Sequence, residues 1–358
     1  MTNVFLVKTP LQLLNAIEAR HYFNLDLNDC VLIAMGDRKS QPQILMLLDD
    51  INEWGEVIDL NDVDLFCDNP FELKRNGFIK KIQKLKIFRK SFFYIIRLNK
   101  ISKCLSSVKY IFVGYTRYTY MSHFVNITNH DELVFLDDGN GTINYAERRR
   151  VGANAVSGIS MKKKVKLYAK RLFQRVQDQE KESACFFTAY DISPGDKDKV
   201  IKNNFLYLKS KVSEAPSINE VYFIGSPLSE VGIVSSDYYV DHLNRIKKYF
   251  KNKKIVYIAH RRDSEKKLQI IKDKLGISVV FFDYPIEYQL AFVGPRPLIL
   301  ASFFSAALDS CRLIFGEKIN LVSFKIDAVN SLQRESINDL YKGYELFKND
   351  SFKVVSDY

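Results

Sequence analysis

KIVYIAHRRDSEKKLQIIKDKLGISVVFF, residues 254–282, reads as a strand, a helix and a second strand. Residues 255–259 form a short apolar, β-branched run. Leu268, Ile271 and Leu275 then recur at the three- and four-residue spacing of a helix face. Residues 279–282 are again continuously apolar. Two strands joined through a helix run parallel, and their uninterrupted apolar character predicts cover on both faces of the sheet.

Working outward, the same unit repeats along the chain. Strand-like runs fall at 4–7, 31–34, 57–60, 110–113, 133–136 and 185–189, then at 221–224, 298–301 and 321–324. Helical periods lie between them, as at 11–22, 41–48 and 239–250. This alternation predicts an α/β fold with parallel sheets and helices on both faces. The polar stretch 209–219, which contains Pro216, separates two strand-rich halves. The expectation is two Rossmann-like domains facing a central cleft, the GT-B arrangement, with the first at 1–212 and the second at 213–358. In open α/β sheets ligands bind beyond the carboxyl ends of the strands. The residues that follow each run are therefore the ones to inspect.

Composition sets bounds on function. The chain has 358 residues, 47% hydrophobic, with only 15 Gly and 9 Pro, so each half can bury a core and disorder is not expected. The net charge of +11 attracts polyanions without choosing among nucleic acid, an anionic membrane and an acidic glycolipid. Cys30, Cys67, Cys104, Cys185 and Cys311 are scattered, with no CxxC pair. That argues against a disulfide framework or a zinc site and fits a reducing cytoplasm. Neither a secretion leader nor a transmembrane-length apolar run is read. Segment 74–100 interleaves Lys and Arg with apolar residues and holds no Asp or Glu. A basic amphipathic helix of this kind can lie on an anionic membrane surface; a domain helix with a solvated basic face has the same pattern.

Four stretches carry chemistry. Asp137-Asp138-Gly139-Asn140-Gly141-Thr142 follows run 133–136, and a carboxylate there can serve as general base; a plain turn uses the same residues. His260-Arg261-Arg262-Asp263 follows run 255–259 and offers donors to a phosphate or carboxylate; the ordinary alternative is a surface turn with Asp263 capping a helix. Ser302-Phe303-Phe304-Ser305 enters a helix, with Ser302 expected to cap it and Ser305 to point into the cleft. A core role suits Phe303 and Phe304. Gly225-Ser226-Pro227-Leu228-Ser229-Glu230 follows run 221–224 and lets a nucleotide approach closely.

Together these stretches resemble the bacterial sialyltransferases, in particular glycosyltransferase family 52, which includes lipooligosaccharide sialyltransferases; related motifs occur in polysialyltransferases. Asp137-Asp138-Gly139 is similar to the family's acidic motif, His260-Arg261 to its histidine motif, and Ser302 to Leu308 to its serine motif. The first βα turn, with Thr9 and Gln12, also looks like the family's. The resemblance implies an inverting, metal-independent transferase that uses no cofactor. It would move sialic acid, or a related nonulosonic acid, from a CMP-sugar donor to a glycan or glycolipid acceptor.

By position, Asp137 or Asp138 would be the base, with Glu230 in reserve, and His260 would stabilise the departing phosphate. Gly225, Ser226, Arg261, Arg262, Ser302, Phe303 and Ser305 would hold CMP. Thr9, Gln12, Gly139 and Asn140 would lie on the acceptor side. Arg261 stands where many relatives have proline, and Leu228 where some have a carboxylate. The expected setting is the bacterial cytoplasm, without a nucleic-acid partner; contact with the inner membrane through 74–100, read from that segment's own residues, and a homodimer are left open. Two other readings remain at this stage: another nucleotide-sugar or polyol-phosphate transferase on the same fold, and a non-enzymatic basic protein that binds membranes or nucleic acid.

Overall fold

The computed structural model describes residues 1–37, 40–60, 77–114, 118–151, 175–212, 217–327 and 331–358; the side chains of 77–88, 140, 331 and 332 lie outside that description. The chain divides into two compact units, Met1–Asn203 and Asn204–Tyr358. The boundary thus precedes the polar stretch chosen from sequence, of which 213–216 lie outside the described residues. The reason is helix Leu206–Lys211, which packs on helix Ala306–Phe315 and so belongs to the second unit.

The first unit is built on strands β1 (Thr2–Val7), β2 (Cys30–Ala34), β3 (Glu56–Asp59), β4 (Val108–Val113), β5 (His130–Leu136), β6 (Cys185–Thr188) and β7 (Lys199–Lys202). They form one sheet in the order β3-β2-β1-β4-β5-β6-β7, parallel throughout. Val4, Phe5, Leu6 and Val7 are all 0% exposed, which is why this central strand reads as a continuous apolar run. The second unit holds β8 (Ser217–Ile224), β9 (Lys254–Ile258), β10 (Ser278–Val280), β11 (Arg296–Ser302), β12 (Asn320–Phe324) and β13 (Phe352–Val355). Their order is β10-β9-β8-β11-β12-β13, again parallel throughout.

Every run quoted from sequence overlaps a strand, but run 279–282 does so only in part: β10 stops at Val280, and at the sheet edge Phe281 is 61% exposed, so the cover expected on both faces is absent there. Two strands escaped that reading, β7 and β13, and both lie at sheet edges. Each is four residues long and sets lysine among its apolar residues, as edge strands do to discourage further pairing.

Local signals fix the helix starts. Thr9 Oγ1 accepts from Gln12 N ahead of helix Pro10–Tyr22, whose first residue is a proline suited to that position. Ser235 and Ser264 cap helices Ser236–Tyr249 and Glu265–Leu275, and Gly276, at φ 59°, closes the latter. The cap is therefore Ser264 and not Asp263, whose carboxylate is used elsewhere. Each unit has its own apolar core, one gathered around Phe124, Ile111 and Phe186, the other around Phe223, Tyr239, Tyr257 and Phe303.

Candidate functional site

In both sheets the strand order reverses once. The reversal lies between β1 and β4 in the first unit and between β8 and β11 in the second. Chains leaving two such neighbours turn to opposite sides and open a crevice at their carboxyl ends. Most of the residues singled out from sequence collect at these two points.

In the first unit, Gln12 is the organiser. Its side chain is buried after β1, where Oε1 accepts from Lys8 N at 2.7 Å and Nε2 donates to Asp138 Oδ1 at 2.7 Å. Gly114, after β4, leaves room for it, since a Cβ there would sit 2.2 Å from Gln12 Cδ. Asp138 N donates to Thr142 Oγ1 at 2.9 Å, and Gly139 takes φ 61°, a left-handed turn that glycine adopts without strain. Asp138 is thereby held half-buried at the crevice, oriented by an amide. The side chain of Asn140 lies outside the described residues.

Asp137 points elsewhere. It is 2% exposed, and its Oδ2 accepts from Ala189 N at 2.7 Å, tying the end of β5 to the end of β6. Burial pushes its carboxyl up to about 6, against the pull of Thr188, the Ala189 amide and Thr142. A raised carboxyl pKa suits a base, but this group is enclosed, so the expectation of Asp137 as base is corrected. Asn15 adds to the tie: it donates to Asp137 O at 3.4 Å and accepts from Asn203 Nδ2 at 2.9 Å. Sequence reasoning missed that role.

In the second unit a buried network joins three turns. Lys267 has a side chain 1% exposed, and its Nζ lies 2.7 Å from Asp263 Oδ1, 2.9 Å from Glu230 Oε2 and 3.1 Å from Ser226 O. Asp263 Oδ2 accepts from His260 N at 2.9 Å and from the Tyr257 hydroxyl at 3.0 Å. The Tyr257 and Tyr239 hydroxyls meet at 2.9 Å, and Ser226 N donates to Tyr239 Oη at 3.2 Å. Gly225 covers this knot, and a Cβ on it would fall 2.5 Å from Tyr257 Oη and 2.8 Å from Asp263 Oδ2. The Gly-Ser turn and the His260 turn are thus one unit, braced from below by a lysine.

The network assigns Glu230 a different task from reserve base. Burial raises its carboxyl, but Lys267 and the Ser264 amide outweigh that and hold it at about 2. A carboxylate so held is a poor proton acceptor. His260 Nδ1 accepts from Arg262 N at 3.1 Å, which leaves its ring proton on Nε2. Burial pushes His260 down to about 4; Asp263 opposes this, while Arg261, Arg262 and Lys267 reinforce it. The imidazole is therefore a neutral donor at pH 7. Arg261 and Arg262 are exposed beside it.

The serine stretch reverses the expected roles. Ser305 is the cap of helix Ala306–Phe315, its Oγ accepting from Ala307 N at 3.2 Å. Ser302 is 0% exposed, and its Oγ donates to Ile224 O at 3.0 Å, latching β11 to β8 at the reversal. Neither it nor Phe303 presents a surface to a ligand. Phe303 is 0% exposed and packs edge-on against Phe223 and Tyr239. The extended backbone of β11 runs through Ser302, which delays the helix start to Ser305.

No protein-family profile matches the chain, and no curated protein sequence matches it. Solved structures do. The 2,6-sialyltransferase of Photobacterium sp. JT-ISH-224, in a ternary complex with CMP and lactose, aligns at TM-score 0.50 and 11% identity over 99% of this chain and 78% of that one. A putative UDP-N-acetylglucosamine 2-epimerase from Listeria monocytogenes aligns at TM-score 0.50 and 9% identity over 97% of this chain and 88% of that one. At such identities the likeness speaks for the fold: two Rossmann-like α/β units of the GT-B class.

Proposed function

We propose that the chain is a glycosyltransferase, specifically an inverting sialyltransferase that moves sialic acid or a related nonulosonic acid from a CMP-sugar to a glycan acceptor. The observation that carries the reading is the composition of the two strand-order reversals. A carboxylate oriented by an amide, Asp138 on Gln12, stands at the first. A glycine-led turn with a neutral histidine donor and two exposed arginines stands at the second. The resemblance of these stretches to the sialyltransferase motifs supplies the donor class.

In this reading Asp138 takes the proton of the acceptor hydroxyl as its oxygen bonds to the anomeric carbon. The bond from that carbon to the CMP phosphate oxygen breaks, and CMP leaves with the electron pair. Attack on the face opposite the leaving group inverts the centre. His260 Nε2–H, Arg261, Arg262 and the amino end of helix Ala306–Phe315 share the phosphate charge. Donors of this kind can neutralise one phosphate without a divalent ion, so turnover is expected to survive a chelator.

The test pairs turnover with binding. Pure protein is given a panel of CMP-sugars with a galactoside acceptor, and products are read by mass spectrometry. In parallel, CMP, CDP and UDP are compared by thermal shift. CMP at a hundredfold excess over its Kd is expected to stabilise by about 2.7 kcal/mol. A response to UDP alone would move the reading to another nucleotide-sugar transferase. If the pure protein neither hydrolyses nor transfers from any CMP-sugar, the reading is overturned.

A further inference from the structure

Among the described residues no helix is long and apolar enough to cross a membrane, yet one carries an exposed face of mixed apolar and basic side chains. Helix Gly77–Cys104 contains no Asp or Glu. From residue 89 onward its side chains divide cleanly. Ser91, Tyr94, Ile95 and Leu98 are buried, Tyr94 and Leu98 within the first unit's core. On the other side Phe92 is 39%, Phe93 60% and Ile96 47% exposed, and Arg89, Lys100 and Lys103 are exposed with them. At 3.6 residues per turn these six fall within a stripe about 100° wide, opposite the buried face.

We propose that this stripe docks the protein on an anionic lipid surface. Three large apolar side chains side by side are a cost in water, and cations precede and follow them along the helix. That arrangement suits a bilayer interface, where the apolar groups enter the acyl boundary and the long basic stems reach the headgroups. Toward the helix start the sequence adds Lys80, Lys81, Lys84 and Lys86 to the helix's positive charge, with no Asp or Glu among them. Nucleic acid would satisfy the cations through its phosphates but gives Ile96 nothing to enter. A second copy meeting this face with its own would set like charges together. The net charge of +11 favours the same anionic partner over long range. The inference does not depend on the reading of the transfer site.

The test is vesicle flotation of the full chain at low and at physiological salt. Vesicles of phosphatidylglycerol mixed with phosphatidylcholine are compared with phosphatidylcholine alone. Binding is expected only to the anionic vesicles. The double variant Arg89→Glu, Lys100→Glu is expected to weaken it by at least about tenfold. Phe93→Ser is expected to weaken it severalfold and to make the remainder more salt-sensitive. Both variants should keep the wild-type melting profile and turnover on a small soluble acceptor. Equal binding to neutral vesicles, or binding unchanged in both variants, overturns the proposal. So does tighter binding to duplex DNA than to anionic vesicles, or a wild-type dimer that Phe93→Ser splits.

Discussion

Adjacent carboxylates 137 and 138 look interchangeable in the sequence, yet they meet opposite surroundings. Asp138 should carry proton transfer: Asp138→Asn is expected to remove transfer while leaving CMP binding unchanged, as read by calorimetry. In the proposed reaction His260 would act as a neutral donor, because burial pushes its imidazole down to about 4 and leaves it uncharged near pH 7. His260→Ala is expected to lower kcat by about a hundredfold or more, with the fold intact by circular dichroism. Asp137 yields a stability prediction. Its folded value of about 6 lies above its ordinary 3.8, so the folded state binds the proton more tightly. Its contribution to stability is present below about pH 4 and is lost as pH rises through about 6. Asp137→Asn, uncharged throughout, should flatten that slope and add about 1–2 kcal/mol near pH 7 in urea denaturation.

At the scale of elements, helix Glu265–Leu275 does more than cover a sheet. Its buried Lys267 fixes the turns after β8 and β9 to one another through Ser226, Glu230 and Asp263. Removing that cation leaves carboxylates buried without their partner. Lys267→Met is expected to cost about 3–5 kcal/mol, with part recovered when Glu230→Gln is added. Denaturation of the two single variants and the double variant measures the coupling. None of this was legible in the sequence, where a lysine on a helix reads as solvated. Ser302 and Ser305 exchanged roles for a related reason: motif spacing says nothing about how far a strand runs before its helix starts. The inner strands were legible, since a strand covered on both faces must be apolar at each position. Of the four edge strands, β3 and β10 were read from short apolar runs although mostly exposed, whereas lysine interrupts β7 and β13 and hid them.

For the whole molecule, the alternation of strands and helices is enough to give two parallel sheets, and the strand ends then give the candidate residues. What sequence could not supply is which way each side chain faces at those ends, as at Asp137 and Phe303. One topological feature has a kinetic consequence. In the first sheet β1 pairs with β4, so that Thr2 lies against Val108 and Leu6 against Val113. Strand β1, buried from Asn3 to Val7, has no neighbour on that side until a long intervening stretch has been synthesised. Contacts so distant along the chain form slowly and leave sticky intermediates behind. Refolding from denaturant should accordingly lose yield as protein concentration rises, and newly made chains emerging from a ribosome should depend on a chaperone that shields Val4–Val7.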